Sequence, residues 1–311
     1  MEIIIPKGIK IGHSQDEYTG VTVILSEKGV VAGADVRGGA PGTRETDLLR
    51  PDKAVQKINA VVLSGGSAYG LSSCDGVMRY LKDKGCGHKM GNKVVPIVSG
   101  AVIYDLNDKD YHIPDSESGY EACLNASENP LFGQVGVGKG ATVGKIRGIK
   151  NACKSGIGAY TVKVAGVTVT AIICVNALGD VIDKDGKILA GAKGKDGKFI
   201  NTSDCLLNNR FGTLLFGNTT IGCILTNAKL DKLQANKIAS VAHNGLAKSI
   251  SPVHTDYDGD TLFCMATGKV PVLNLVLLQT AAVEAVENAV RAAVKSGENY
   301  TVICEEEQVS E

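Results

Sequence analysis

The chain has 311 residues, with 33 basic and 33 acidic side chains and 44% hydrophobic content, the make-up of a folded protein with a large core. A formal charge of zero argues against a polyanion as its main partner, because nucleic acid or anionic lipid selects a basic surplus. The outlier is glycine, 38 residues without a collagen-like period, which implies scattered backbone needs: positive φ, tight turns, and close approach of chain to chain or ligand.

In chain order, the first β-branched run, 21–25, predicts a strand. The segment 35–47 is dense in turn residues and carries two arginines and three acids. It reads equally as a loop pinned by ion pairs or as a substrate-facing loop in which arginine meets a carboxylate. A strand at 60–63 leads into Gly65-Gly66-Ser67-Ala68-Tyr69-Gly70 and then a helix over 69–84, with Leu71, Val77, Met78 and Leu81 in one stripe and Gly85 as its stop. Ser67 lacks the GxSxG spacing of a nucleophile elbow and reads as a helix cap. Strands are predicted at 94–97 and 101–104.

The string Gly136-Val137-Gly138-Lys139-Gly140-Ala141 has neither a clear strand before it nor a helix after it. Lys145 is followed by Ile146 rather than Ser or Thr, so neither a dinucleotide fold nor a P-loop is predicted. A long strand-like run follows at 160–175. The lysine–glycine segment 183–198 reads as an exposed hairpin or loop. A strand at 213–216 reaches Gly217-Asn218 and resumes after Thr219-Thr220, which by composition alone is a hairpin turn. Helices are predicted over 230–249, with Thr226 and Asn227 as caps, and over 272–296, ending at Gly297. The acidic tail 305–311 is expected to fray.

No apolar stretch reaches the roughly 18 residues of a membrane span, and the first residues lack the pattern of a secretory signal. Nine cysteines without a CxxC pair read as buried free thiols in a reducing compartment, so a cytoplasmic location is expected. The five histidines never fall at i, i+4, and neither a metal nor another cofactor is expected. Strands with two long helices near the C-terminus, and no linker, suggest one α/β layered domain over 1–311.

Six strings carry a resemblance: DVRGGAPGTRETDLL, LSGGSAYGLSSCDGVMRYL, VGKGATVGK, VNALGDV, GNTTIGCILTNA and PVHTDYDGDTLFCMATG. In this order they resemble the DmpA-type aminopeptidases, also called the L-aminopeptidase/D-esterase or β-aminopeptidase family. The resemblance implies a four-layer αββα sandwich shared with ornithine acetyltransferases. It also implies an N-terminal nucleophile hydrolase that cuts itself between Asn218 and Thr219 into a 1–218 α-chain and a 219–311 β-chain.

Elementary chemistry fits that cut. A hydroxyl just past a peptide bond attacks the preceding carbonyl through a five-membered ring, and the freed α-amine, with a reference pKa of roughly 7.7–8.0, serves as the base for its own hydroxyl.

By the same resemblance Asn176 supplies an oxyanion donor, although alone it reads equally as a turn residue. Asp258 and Asp260 stand where better-known members carry a Ser-Gly-Glu stretch, and would orient and polarise the nucleophile and its amine. Two aspartates depart from that pattern and leave their division of labour open. Tyr69, Tyr160 and the 37–45 loop are candidates for the pocket wall.

The expected activity is removal of N-terminal residues from small peptides, amides or esters, by a homo-oligomer of αβ units, with no nucleic-acid or membrane partner. The alternatives are an acyltransferase of the ornithine acetyltransferase type and an uncleaved, non-catalytic member of the fold.

Overall fold

The computed structural model describes residues 2–106, 112–211, 217–272, 274–295 and 300–305. Its framework runs β1 (Glu2–Ile5), β2 (Lys10–Gln15), β3 (Gly20–Val36), β4 (Lys57–Ser64), α1 (Ser73–Asp83), β5 (Val98–Val102), α2 (Ser116–Leu124), β6 (Ile157–Val164), β7 (Val167–Asn176), β8 (Thr219–Ala228), α3 (Lys232–Ala247), β9 (Thr261–Val270), α4 (Leu275–Ala293) and β10 (Thr301–Cys304). Among the described residues the main sheet has the order β6-β7-β8-β9-β3-β4-β5, with β2 also on β3 and the short strand Thr43–Arg44 on β5.

Strand β3 makes two packed sheets out of this one. It is 17 residues long, pairing with β4 over its first part and with β9 over its last. Its register against β4 shifts between Leu25 and Val30, where Gly29 takes a φ of +68°, a bulge conformation that glycine adopts without a Cβ clash. Before the bend, Val21, Val23 and Leu25 face α1 and α2, with Ile24 on the opposite face. Beyond it, Val30 and Ala32 face the centre while Val31 packs toward α3 and α4.

Three hydrophobic cores separate four layers. Helices α3 and α4 set Ile238, Ala242, Val286 and Ala289 against Val169, Ile173, Ile224 and Leu262. The two sheet halves meet through Ile24, Leu63, Ile172, Cys174, Ile221, Phe263 and Met265. Helices α1 and α2 close the far side with Val77, Leu81 and Ala122. The central strands are buried on both faces, which is why they read as unbroken apolar runs and not as alternation. Helix α4 lies directly on β6 because Gly158 has no side chain: a Cβ there would sit 1.8 Å from the Ala289 carbonyl oxygen. The expected αββα sandwich is the observed architecture.

Several boundaries differ from expectation. The run 160–175 is a hairpin, β6 turning into β7 at Ala165 and Gly166, both at positive φ. Thr226 and Asn227 lie inside β8, and α3 is capped instead by Asp231, whose carboxylate accepts the Gln234 N–H while Gln234 reaches back. Ser67 is not a cap: it begins a 3-10 turn, Ser67–Ser72, at a φ of +56°, and α1 starts at Ser73. Pro96 separates the short strand Lys93–Val95 from β5. Helix α2 and a short helix at Thr202–Leu207 were not anticipated, though both carry Asx caps. The lysine–glycine segment opens as a hairpin between Asp180–Ile182 and Ile188–Ala190. The strand expected at 213–216 and the tail beyond 305 lie outside the described residues. The nine cysteines are free thiols, six of them buried.

Candidate active site

Three chain segments meet at one edge of the sheet. Strand β7 ends at Asn176 and β8 begins at Thr219, and the two residues are paired across the strands. Strand β9 runs parallel to β8 from Thr261, so the turn leading into it, 254–260, lies beside Asn218. There Asn218 and Asp258 form a bridge: the Asn218 N–H donates to the Tyr257 carbonyl at 3.3 Å, and the Gly259 N–H donates to the Asn218 carbonyl at 2.8 Å. Asn176, Asn218, Thr219, Asp258 and Asp260 are all buried.

The Asn218–Thr219 peptide is therefore held from both sides. Thr219 Oγ1 donates a short hydrogen bond to the Asn218 carbonyl oxygen, which also accepts from Gly259. Glycine is required at 259: a Cβ there would lie 2.8 Å from Thr219 Oγ1 and 2.7 Å from the Ala40 carbonyl oxygen. A hydroxyl stands against the carbonyl of the preceding residue, and a backbone donor points at the oxygen on which charge would develop.

Asn176 is fixed at both ends of its amide. Its Oδ1 accepts from the Thr142 N–H at 3.1 Å and from Lys145 Nζ at 2.7 Å, so Nδ2 is the donor, to the Tyr104 carbonyl at 3.0 Å and the Gly217 carbonyl at 3.4 Å. Lys145 Nζ also donates to the Asn176 carbonyl at 2.9 Å and the Gly217 carbonyl at 3.3 Å. This lysine was not singled out from sequence. It lies in the string that excluded a P-loop, and the structure makes it the one cation inside the otherwise buried run from Ala141 to Ile146.

Burial pulls the Lys145 ammonium down to about 7, against the opposing pull of Asp258 and Asp105. An unfolded lysine titrates near ~10.4. Between these values the unfolded chain holds a proton that the folded chain has released, so stability rises with pH across that window. Thermal melts of the Thr219→Ala protein from pH 7 to 10 are expected to show this rise, and Lys145→Met in the same background to lose it. Parallel curves for the two proteins would contradict the assignment.

The two aspartates have separate partners. Asp258 accepts from the Thr255 N–H at 3.0 Å and its hydroxyl at 2.5 Å, and from the Leu178 N–H at 3.4 Å. Burial, then the neighbouring Asp260, pushes its carboxyl up to about 6. Asp260 Oδ1 accepts the Thr220 N–H at 2.6 Å, and Oδ2 accepts the His254 N–H at 3.0 Å and His254 Nδ1–H at 2.8 Å. A third buried carboxyl, Asp105, follows Tyr104 and accepts from Thr19 Oγ1 and the Gly66 N–H, both at 2.7 Å; burial raises it.

The 37–45 loop covers the 254–260 turn: Arg37 N–H donates to the Asp260 carbonyl and Ala40 N–H to the Asp258 carbonyl, both at 2.9 Å. Its arginines are engaged elsewhere, Arg37 with Asp35 and Ser240 and Arg44 with Asp75, so the ion-pinned reading of this loop describes it. Tyr69 is exposed on the 3-10 turn after β4. Tyr104, which was not named from sequence as a site residue, borders the site: a Cβ on Gly217 would meet its ring at 2.7 Å.

Tyr160 does not belong to the pocket wall. It pairs with Ala171, five residues and roughly 17 Å of strand from Asn176, and packs toward the α3/α4 core. Outward-facing aromatic positions on a sheet edge and on a helix-covered face look alike in sequence.

The model of Peptidase family S58 matches residues 5–307. An uncharacterized aminopeptidase of Mycobacterium bovis is 41% identical over 285 residues, covering 85% of this chain and 81% of that protein. A 6-aminohexanoate-oligomer endohydrolase of Paenarthrobacter ureafaciens is 30% identical over 273 residues, covering 85% and 74%. Among solved structures, a β-aminopeptidase of a Burkholderia species superposes with a TM-score of 0.67 at 20% identity, over 92% of this chain and 84% of that one. The L-aminopeptidase D-Ala-esterase/amidase of Ochrobactrum anthropi, described as a variant of the Ntn hydrolase fold, superposes with a TM-score of 0.67 at 19% identity over the same shares. With a family match across nearly its whole length and an αββα sandwich to house the site, the chain belongs to peptidase family S58 and is an aminopeptidase-type hydrolase.

Proposed function

We propose that the chain cleaves itself between Asn218 and Thr219, and that the freed Thr219 then hydrolyses N-terminal residues from small peptides, amides or esters. The observation that carries this reading is the Asn218 carbonyl, touched by Thr219 Oγ1 and held by the Gly259 N–H. Thr219 Oγ1 adds to the carbonyl carbon, the C–N bond breaks as the hydroxyl proton passes to nitrogen, and an ester joins Asn218 to Thr219. Water hydrolyses that ester, leaving a carboxylate on Asn218 and a free α-amine and hydroxyl on Thr219.

In turnover the α-amine, with a reference pKa of roughly 7.7–8.0, accepts the hydroxyl proton at neutral pH. Departure of the new C-terminus at 217–218 frees Asn176 Nδ2 to donate to the substrate carbonyl oxygen as charge builds there. Lys145 keeps the Asn176 amide from turning over, because Oδ1 must face its ammonium.

Among the described residues three buried carboxyls, Asp105, Asp258 and Asp260, stand here beside Lys145 and the His254 ring, an arrangement that suits a substrate entering with a free ammonium. The buried thiols and absence of disulfides support a reducing, cytoplasmic setting. A homo-oligomer of αβ units remains part of the proposal.

The test is a panel of aminoacyl p-nitroanilides with the purified protein, with and without an added amine acceptor. Release of free amino acid in both conditions is the expected result. Transfer of the acyl group to the acceptor as main product would favour the acyltransferase, and no release with any substrate would leave the non-catalytic alternative.

A further inference from the structure

We propose that His254 is a positioning residue for Thr219, acting through Asp260; this rests on Thr219 being the nucleophile. The connection is a short chain of hydrogen bonds. His254 donates to Asp260 Oδ2 from both its backbone N–H and its ring Nδ1, and Asp260 Oδ1 accepts the N–H of Thr220. That N–H belongs to the peptide joining Thr219 to Thr220, so the carboxylate fixes the plane of the bond that follows the nucleophile. Asp260 does not touch Thr219 Oγ1 directly. What it controls is the direction in which the Thr219 side chain leaves the strand.

The ring is well placed for this task. A carboxylate only accepts, so Nδ1 carries the hydrogen. Asp260 is fully buried, and among the described residues the His254 ring is the one basic side chain within 4 Å of its carboxylate, at 2.8 Å. The acid beside it, Asp258, is held instead by Thr255 and the Leu178 N–H. The ring's remaining nitrogen, Nε2, is buried without a hydrogen-bond partner among the described residues, and the ring packs edge-on with His243 at a centroid distance of 4.9 Å. The Nδ1–H is thus the ring's single polar anchor among the described residues, and it is directed at Asp260.

The backbone supplies a clean test. His254 sits at a φ of +58°, a left-handed conformation that asparagine tolerates. His254→Asn keeps an N–H donor two bonds beyond Cβ, close to where Nδ1 stands, whereas His254→Ala removes the donor. Each is made in the intact gene and also in the uncleavable Thr219→Ala background, where melting temperature reports folding apart from cleavage.

The expected result is that His254→Asn cleaves itself and turns over an aminoacyl p-nitroanilide within a few-fold of wild type. His254→Ala is expected to slow both reactions about 10- to 100-fold, the size of one hydrogen bond to a charged group, in kcat and not in KM. Two results overturn the proposal: His254→Ala with the wild-type kcat, or His254→Asn as slow as His254→Ala. Should His254→Ala not fold in the Thr219→Ala background, His254→Asn decides alone, near-wild-type rate supporting the proposal and a slow rate contradicting it. If the wild type neither cuts itself nor turns over substrate, the reading of Thr219 fails, a different outcome from either of these.

Discussion

Thr219→Ala is expected to remain a single chain of 32.4 kDa on denaturing electrophoresis, and the wild type to separate into 1–218 and 219–311, roughly 23 and 10 kDa by their share of residues. The substitution removes the Thr219 hydroxyl that touches the Asn218 carbonyl and leaves the backbone donor from Gly259 in place. Polarisation of the scissile carbonyl without a nucleophile is not enough, because an uncatalysed peptide bond is stable on any laboratory timescale. Thr219→Ser keeps the hydroxyl at the same distance along the chain and is expected to cut. Activity is lost more completely than by any other single change, since the same atom serves both reactions and the α-amine never forms. A Thr219→Ala protein that still splits, or that stays whole yet hydrolyses substrate at the wild-type rate, would remove Thr219 from the mechanism.

Asn176→Ala separates the two reactions. In the uncut chain the Asn176 amide donates to Tyr104 and Gly217 and not to the Asn218 carbonyl, so the developing oxyanion of self-cleavage relies on Gly259. In the turnover proposed above the same amide is the side-chain oxyanion donor. Removing one such donor costs about 10² to 10³ in kcat. The expected product is therefore a protein that is cut into two fragments, slowly, and is then nearly inert toward an aminoacyl p-nitroanilide. Asn176→Asp is expected to behave likewise: its oxygen still meets Lys145 and Thr142, but the donor is gone and a negative charge faces the substrate carbonyl. Full turnover by a cleaved Asn176→Ala protein would assign the oxyanion to other donors.

Much of this was legible in the chain itself. Apolar runs such as Ala60–Leu63 and Val21–Leu25 marked the central strands, and helical stripes marked α1, α3 and α4, because burial imposes periods that composition cannot hide. The motif around Thr219 and the DYDGD turn, which meet at one sheet edge, were linked through the family resemblance, since spacing by itself made the first a hairpin and the second a polar turn.

What escaped was fixed by contacts remote in sequence. Lys145 matters because its Nζ meets Asn176, 31 residues away, and Gly217, 72 away, and a lone lysine among glycines gives no hint of either. His254 looked incidental for want of a second histidine at helical spacing, whereas its partner is a carboxylate six residues on. Tyr160 was misplaced because its depth along β6 is set by the turn at Ala165-Gly166, a register that the apolar run conceals.

The glycine excess has a local explanation at the site. Gly259 and Gly217 let backbone come where a side chain would collide with Thr219 or Tyr104. Gly158 serves a helix-to-strand contact instead.

The most direct measurement of the central claim is intact mass together with N-terminal sequencing of the purified wild-type protein. Two polypeptides are expected, one of which begins Thr-Thr-Ile-Gly-Cys from Thr219. A fully active protein whose chain is whole, or is cut at any other bond, would contradict the account.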